Sequence, residues 1–300
     1  MGASAPEEDT MSARDSILVT GASGRLGGGV VRELLAHGYA VRGIDQRRPD
    51  PATWPSEARF IETSLHDIGQ IAGAMQGCAA VIHLGAIPAP YSHPDEVVFT
   101  NNTTATFSVL QAMSILGIRR AAIASSGSIY GTAWSRAMLL PQYVPLDEEH
   151  PILAADPYAL AKETDERTAA MFVRKDGSTI AALRFHWVAL PEELRAVGGT
   201  IDDDPDSSTG VRGIWGYVHI DDAARACRLA IEAEPFGFAA FNIVASDTTL
   251  DIPTEEALAR FAPSIARRTS LPGFASGYAI DKAKRLLGWE PLRSWRDEMG

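Results

Sequence analysis

Two cysteines in 300 residues, Cys78 and Cys227, stand too far apart for a disulfide framework, a redox pair or a zinc site. They read as reduced thiols, and a cytoplasmic location is expected. Positive charge is also scarce. The 27 Lys and Arg against 38 Asp and Glu give a formal net charge of −11, and no basic cluster offsets it. Phosphate backbones and anionic membranes are therefore poor partners, so neither nucleic acid nor a membrane is expected to bind. No run approaches the ~18 apolar residues of a membrane helix, and residues 1–15 lack the apolar stretch of a secretory signal. Those residues read as a disordered tail, with Met11 as an alternative start.

What is present is periodic. From Ser16 onward, short apolar runs (Ile17 to Val19, Tyr39 to Ile44, Arg59 to Ile61, Ala79 to Leu84, Arg120 to Ala124) alternate with helical patterns around Leu26 to Leu35, Ile68 to Met75 and Asn102 to Leu116. Strands that are apolar on both faces require a parallel sheet covered by helices on both sides, so the fold class is α/β, doubly wound. Beyond Arg184 the alternation loosens. Gly198 to Gly213 is the most polar and glycine-rich internal stretch and reads as a solvated mobile loop able to act as a lid. Its Asp202, Asp203, Asp204 and Asp206 lack the offsets of a calcium loop, and no metal site is expected.

Thr20-Gly21-Ala22-Ser23-Gly24-Arg25-Leu26-Gly27 follows the first strand and opens the first helix. Glycines at this spacing permit a tight turn, close approach of backbone N–H groups to a pyrophosphate, and helix–sheet packing. Asp45, 24 residues after Gly21, ends the second strand, where a carboxylate binds a ribose 2′-hydroxyl and repels a 2′-phosphate. That favours NAD over NADP. Arg47 and Arg48 pull the other way if they face the ribose, and are solvated loop residues if they do not.

Asp156-Pro157-Tyr158-Ala159-Leu160-Ala161-Lys162 opens an amphipathic helix that carries Tyr158 and Lys162 on one face. A phenol beside an ammonium and an oxidised nicotinamide is favoured as phenolate, which makes Tyr158 a candidate general acid/base between alcohol and ketone. Upstream, Ser125-Ser126-Gly127-Ser128 follows a strand, where a hydroxyl faces the ligand crevice of a doubly wound sheet. No Gly-x-Ser-x-Gly elbow supports nucleophilic hydrolysis.

Together the glycine turn, Val81-Ile82-His83-Leu84-Gly85-Ala86, Asn102, Ser125-Ser126-x-x-x-Tyr130-Gly131 and Tyr158-x-x-x-Lys162 resemble the extended short-chain dehydrogenase/reductases, the NAD-dependent epimerase/dehydratase family. Tyr217-Val218-His219-Ile220-Asp221-Asp222 and Lys284 to Pro291 resemble its C-terminal signatures. The resemblance implies a Rossmann domain over residues 16–184 and a mainly substrate-binding part over 185–300 that sends segments back to the first. It implies a catalytic set of Ser126, Tyr158 and Lys162. It further implies cofactor contacts from Gly21, Ser23, Gly24, Arg25, Leu26, Asp45, Leu65, Leu84, Gly85, Ala86, Tyr158 and Lys162, the last holding the nicotinamide ribose, with Asn102 supporting the site. Relatives carry Gly-Asp-Leu where this chain has Thr63-Ser64-Leu65, so Ser64 would replace a carboxylate on adenine with a weaker hydroxyl. A homodimer through the helices Asn102 to Leu116 and Tyr158 to Phe172 is also implied.

Departures narrow the activity. Gly127 and Ser128 stand where dehydratases of this family carry an acid pair, so dehydration is disfavoured, and both become candidate substrate contacts. Arg184-Phe185-His186-Trp187 replaces an Arg-x-x-Asn pattern, and only 35 residues separate Arg184 from His219. Enzymes of nucleotide sugars insert more there. In this compactness, and in Pro191-Glu192, the chain is similar to uronate dehydrogenases. His186 is read either as a substrate contact or as a structural histidine, and His83 as packing. The leading expectation is an NAD-dependent dehydrogenase of a small sugar or sugar acid. The alternatives are a nucleotide-sugar 4-epimerase and a non-catalytic cofactor-binding regulator.

Overall fold

Apolar strands without a polar face need cover on both sides, and the sheet receives it in the computed structural model, which describes Ser12, residues 15–200, Ser207 and residues 209–299. The elements run β1 (Ser16–Thr20), α1 (Arg25–Ala36), β2 (Ala40–Asp45), β3 (Arg59–Glu62), α2 (Ile68–Met75), β4 (Ala80–His83), α3 (Asp95–Leu116) and β5 (Arg120–Ser126). They continue through β6 (Tyr143–Val144), α4 (Pro157–Asp176), β7 (Thr179–Phe185), β8 (Trp187–Ala189), α5 (Pro191–Val197), β9 (Tyr217–His219) and α6 (Ile220–Glu232). The last are β10 (Phe238–Ile243), α7 (Thr254–Phe261), β11 (Ala266–Arg267) and α8 (Asp281–Leu287).

Seven strands form one parallel sheet in the order β10-β7-β5-β4-β1-β2-β3. Alternation of side chains sorts the core into two layers. Ile17, Val19 and Ile82 join Val30, Val31 and Leu34 of α1 and Ala223 and Cys227 of α6. Leu18 and Val81 join Ile71 of α2, Val109 and Met113 of α3, and Phe172 of α4. A third core, with Ile129, Leu146, Trp215, Leu250, Leu258 and Tyr278, gathers residues that follow β5 in the chain. The strand order reverses between β1 and β4, which places a crevice at their carboxyl ends. Both cysteines are free and buried.

Two elements depart from the sequence reading. β5 runs two residues past Ala124, so Ser125 and Ser126 are strand residues, and α3 starts at Asp95, seven residues before Asn102. The polar loop departs more. Gly210 to Gly213 are buried, and Val211 packs with Ile214 and Trp215 in the third core, so this flank is not solvated. The apolar residues just beyond the loop draw its end inward. The four aspartates and the middle of the expected lid lie outside the described residues, as does most of the expected N-terminal tail. Among the described residues no group of His, Cys, Asp and Glu could hold a metal ion, and no helix is long and apolar enough to cross a membrane.

The C-terminal signature residues tie the ends of the fold together. Trp289 is fully buried and its indole N–H donates to the Asp222 carbonyl at 3.0 Å. The Asp222 carboxylate accepts the N–H groups of Leu292 and Arg293, each at 2.9 Å.

Candidate active site

Gly21 and Gly27 of the turn leave no room for a side chain. Gly21 has φ +66°, and a Cβ there would stand 2.7 Å from the Gly85 nitrogen; a Cβ on Gly27 would stand 2.1 Å from the Gly21 carbonyl oxygen. Gly24 caps α1 with no side-chain hydrogen bond, and the first turn holds no acid. The exposed N–H groups and the positive end of the helix dipole therefore form an anion site. Across from it, Asp45 accepts the N–H of Ser23 at 3.2 Å and of Arg47 at 3.1 Å, which orients its carboxylate at the end of β2. Arg48 pairs with Glu62 on the exposed surface at 3.1 Å, as a solvated loop arginine does. Arg25 forms a two-pronged bond to Glu193 of α5 at 2.8 and 2.9 Å.

A cleft of about 1030 Å³ runs from this turn across the carboxyl ends of the strands. Gly21, Gly24, Arg25, Leu26, Asp45, Leu65, Leu84, Gly85 and Ala86 line one end; Ser126, Gly127, Ser128, Tyr158, Lys162 and His186 line the other. Three expected residues do not line it. Ser23 is turned to the Arg47 carbonyl, to which its hydroxyl donates at 2.5 Å. Ser64 accepts the His66 N–H through its hydroxyl and donates its own N–H to Gln70, organising the turn before α2. Asn102 is buried and clamps the Ile87 backbone through both ends of its amide, at 2.8 and 3.0 Å. It shapes the cleft wall from behind. The sequence reading missed Trp134, Trp187 and Tyr278, which also line the cleft. Their separation along the chain leaves no local signal.

α4 is started by Pro157 and by the Asp156 carboxylate, which accepts the Ala159 N–H at 2.8 Å. The helix thus presents Tyr158 and Lys162 to the cleft. The Lys162 ammonium donates to the Ala124 carbonyl at 2.7 Å, lies 3.5 Å from the Asp165 carboxylate, and sits 5.7 Å from the centre of the Tyr158 ring. Burial pushes Asp165 up to about 6, against the opposing pull of Lys162. Ser126, at the end of β5, accepts both the N–H and the hydroxyl of Ser128, at 3.1 and 3.0 Å.

A buried ion pair fixes α4 to the sheet. Arg184 of β7 grips Glu166 with two bonds of 2.8 Å, while Ser125 and Tyr130 bond to the same pair. Glu166→Ala would leave a buried guanidinium without its counter-charge, and a loss of about 3–5 kcal/mol in unfolding free energy is expected. Urea denaturation measures it, and the double replacement Glu166→Leu with Arg184→Met is expected to cost less than the single one.

Two histidines are held neutral. His83 shares a hydrogen bond of 2.7 Å with the Thr20 hydroxyl through Nδ1 and one of 3.1 Å with Thr106 through Nε2. Burial, then the nearby Lys162 ammonium, pushes it down to about 3. The His186 ring centre lies 3.9 Å from that of Tyr278 with the planes tilted by 50°, and its Nε2 is buried without a protein partner among the described residues. Burial, then Arg184, pushes it down to about 3 as well. A Cβ on Gly127 would meet the His186 ring at 2.2 Å, so the ring fills the space an acid at position 127 would need.

These shifts set a pH dependence. The unfolded chain protonates both histidines below 6.5 while the folded chain does not until about 3. Their stabilisation is present above 6.5 and is lost as pH falls through that window. Asp165 acts oppositely between 3.8 and about 6, since the folded state there retains the proton. Counting these three groups alone, unfolding takes up two protons at the histidines and releases one at Asp165, a slope of about 1.4 kcal/mol per pH unit between pH 6 and 4. Urea midpoints at pH 7, 6 and 5 are expected to fall in that order.

Comparison with known proteins agrees with this geometry. The family model for the NAD dependent epimerase/dehydratase family matches residues 17–243. The chain belongs to that family. The residues of its glycine turn, open helix end and Asp45 fit the NAD cofactor for which that family is described. Over 111 residues it is 39% identical to an uncharacterized protein of Mycobacterium tuberculosis, covering 37% of this chain but only 12% of that protein. Along most of its length it is similar to a UDP-glucose 4-epimerase of Lacticaseibacillus casei, with 26% identity over 322 residues and 92% of each chain covered. A short-chain dehydrogenase/reductase superfamily protein of Agrobacterium tumefaciens, solved with bound NAD, shares the fold. Its TM-score is 0.71 at 23% identity, over 95% of this chain and 94% of the other.

Proposed function

We propose that this family member is a dehydrogenase that oxidises one hydroxyl of a small sugar or sugar acid. The observation carrying the reading is the convergence of Ser126, Tyr158 and Lys162 on one end of the cleft whose other end bears the phosphate turn and Asp45. Bound NAD supplies the hydride acceptor. Ser126 holds the substrate hydroxyl, with Ser128 orienting the Ser126 oxygen. Tyr158 takes the proton as the carbonyl forms, and the Lys162 ammonium stabilises the phenolate during that step. Ala124 and Asp165 keep the ammonium in place. His186 offers a neutral imidazole to a further substrate hydroxyl.

The full-length likeness to UDP-glucose 4-epimerases favours a second reading, in which the same proton transfer serves inversion and no NADH accumulates. The experiment is to follow NADH absorbance with free sugars, sugar acids and nucleotide sugars. Net NADH from a free sugar or sugar acid supports the dehydrogenase. Inversion of a UDP-sugar without net NADH, together with strong protection of the protein against heat by UDP, supports the epimerase. Self-association belongs to the same proposal: Phe107 and Ile115 of α3 and Leu160 of α4 leave exposed apolar surface on two adjacent helices. Light scattering is expected to give the mass of a dimer.

A further inference from the structure

We infer that the substrate end of the cleft selects an uncharged hydroxylated ring and disfavours both the carboxylate of a sugar acid and the diphosphate of a nucleotide sugar. This rests on the dehydrogenase reading above and narrows it.

Beyond Tyr158 and Ser126 the walls are Trp134, Trp187, Tyr278 and His186, with hydroxyls from Ser128 and Thr132. Flat apolar faces edged by hydroxyls match a sugar ring, which is apolar on its C–H faces and hydroxylated at its rim. An anion enclosed by such walls needs a counter-charge, because a desolvated carboxylate or phosphate without one is strongly disfavoured.

Among the described residues Lys162 is the one Lys or Arg that lines this end; Arg136, exposed in the loop beyond Trp134, does not line it, and His93 of the cleft is bonded through Nδ1 to the Ser92 hydroxyl. Lys162 is paired with Asp165. Arg184 is enclosed by Glu166, the Tyr130 hydroxyl and the Glu148 carbonyl. Arg212 stands in sequence between cleft-lining Thr209 and Gly213, yet it is buried and donates to the carbonyls of Ser135 and Ala137. Arg25 and Arg47 belong to the cofactor end, the first bonded to Glu193 and the second beside Asp45. His186 is kept neutral by burial. No Lys or Arg occurs in the sequence between Arg195 and Arg212.

The test uses NAD-loaded protein and two matched series: galactose, galacturonate and UDP-galactose, and glucose, glucuronate and UDP-glucose. Rates come from NADH absorbance, and binding from quenching of tryptophan fluorescence, to which Trp134 and Trp187 contribute at the site. At least one neutral sugar is expected to bind and to exceed its uronate by about 100-fold in kcat/KM. Ala133→Lys, which places an ammonium on the cleft wall, is expected to narrow that ratio by about tenfold. If a uronate matches or exceeds its neutral partner while still producing NADH, the inference falls and the dehydrogenase reading stands. Tight binding and inversion of a UDP-sugar without net NADH would overturn both. If no neutral sugar binds or reacts, the inference is also overturned.

Discussion

Tyr158→Phe is expected to lower kcat for alcohol oxidation by about 10²–10⁴-fold while leaving NAD affinity within a few-fold of the parent. The change removes one oxygen from a ring that lines the cleft and leaves untouched the glycine turn and Asp45 at its far end. No side chain among the described residues hydrogen bonds the Tyr158 hydroxyl, so its loss leaves no buried partner unsatisfied and the fold should be indifferent. NADH formation and NAD binding by calorimetry, measured on the same preparation, separate the two effects. Parent-like turnover in the variant would remove Tyr158 from the proton transfer and the proposed mechanism with it.

Gly27→Ala is expected to lower NAD affinity by more than about 100-fold and to destabilise the protein, whereas Gly28→Ala next to it should do neither. The added methyl on Gly27 would lie 2.1 Å from the Gly21 carbonyl oxygen and 2.8 Å from the Ala22 Cα. Both are backbone atoms of the turn itself, so α1 and the turn must part. That withdraws the N–H groups from a pyrophosphate, beyond the usual penalty of about 1–3 kcal/mol for overpacking. On Gly28 the same methyl meets only the tip of the Arg32 side chain, at 3.6 Å. Replacing glycine within a helix there should stabilise by about 0.5–1 kcal/mol. Thermal melts with and without NAD distinguish the pair, and equal behaviour of the two variants would contradict the close packing of turn on helix.

Much of the cofactor end was legible before any coordinates because its chemistry is local. A strand, a glycine turn and a helix start lie within about a dozen consecutive residues, and Asp45 ends the next strand. The expected strand–helix order holds across residues 16–126 for the same reason: strand and helix periodicities are read over short windows. Where that reading erred, the cause was an interaction from farther away. Ser125 extends β5 because its neighbours pair with β7, residue against residue, from Arg120 with Thr179 to Ser126 with Phe185. Ser64 does not line the cleft: its hydroxyl accepts the His66 N–H and its own N–H bonds to Gln70.

The sequence by itself determined the fold class, the phosphate turn, the choice of carboxylate at Asp45 and the spacing of Tyr158 and Lys162, because each depends on residues adjacent on one strand or one helical face. Only the tertiary structure decided what surrounds them. It set Asp165 against Lys162, moved His186 into the space beside Gly127, and brought Trp134, Trp187 and Tyr278 to one cleft from three distant segments. The proposed substrate selection rests on those contacts. They arise from side chains far apart along the chain whose positions are fixed only when the sheet and the third core pack together.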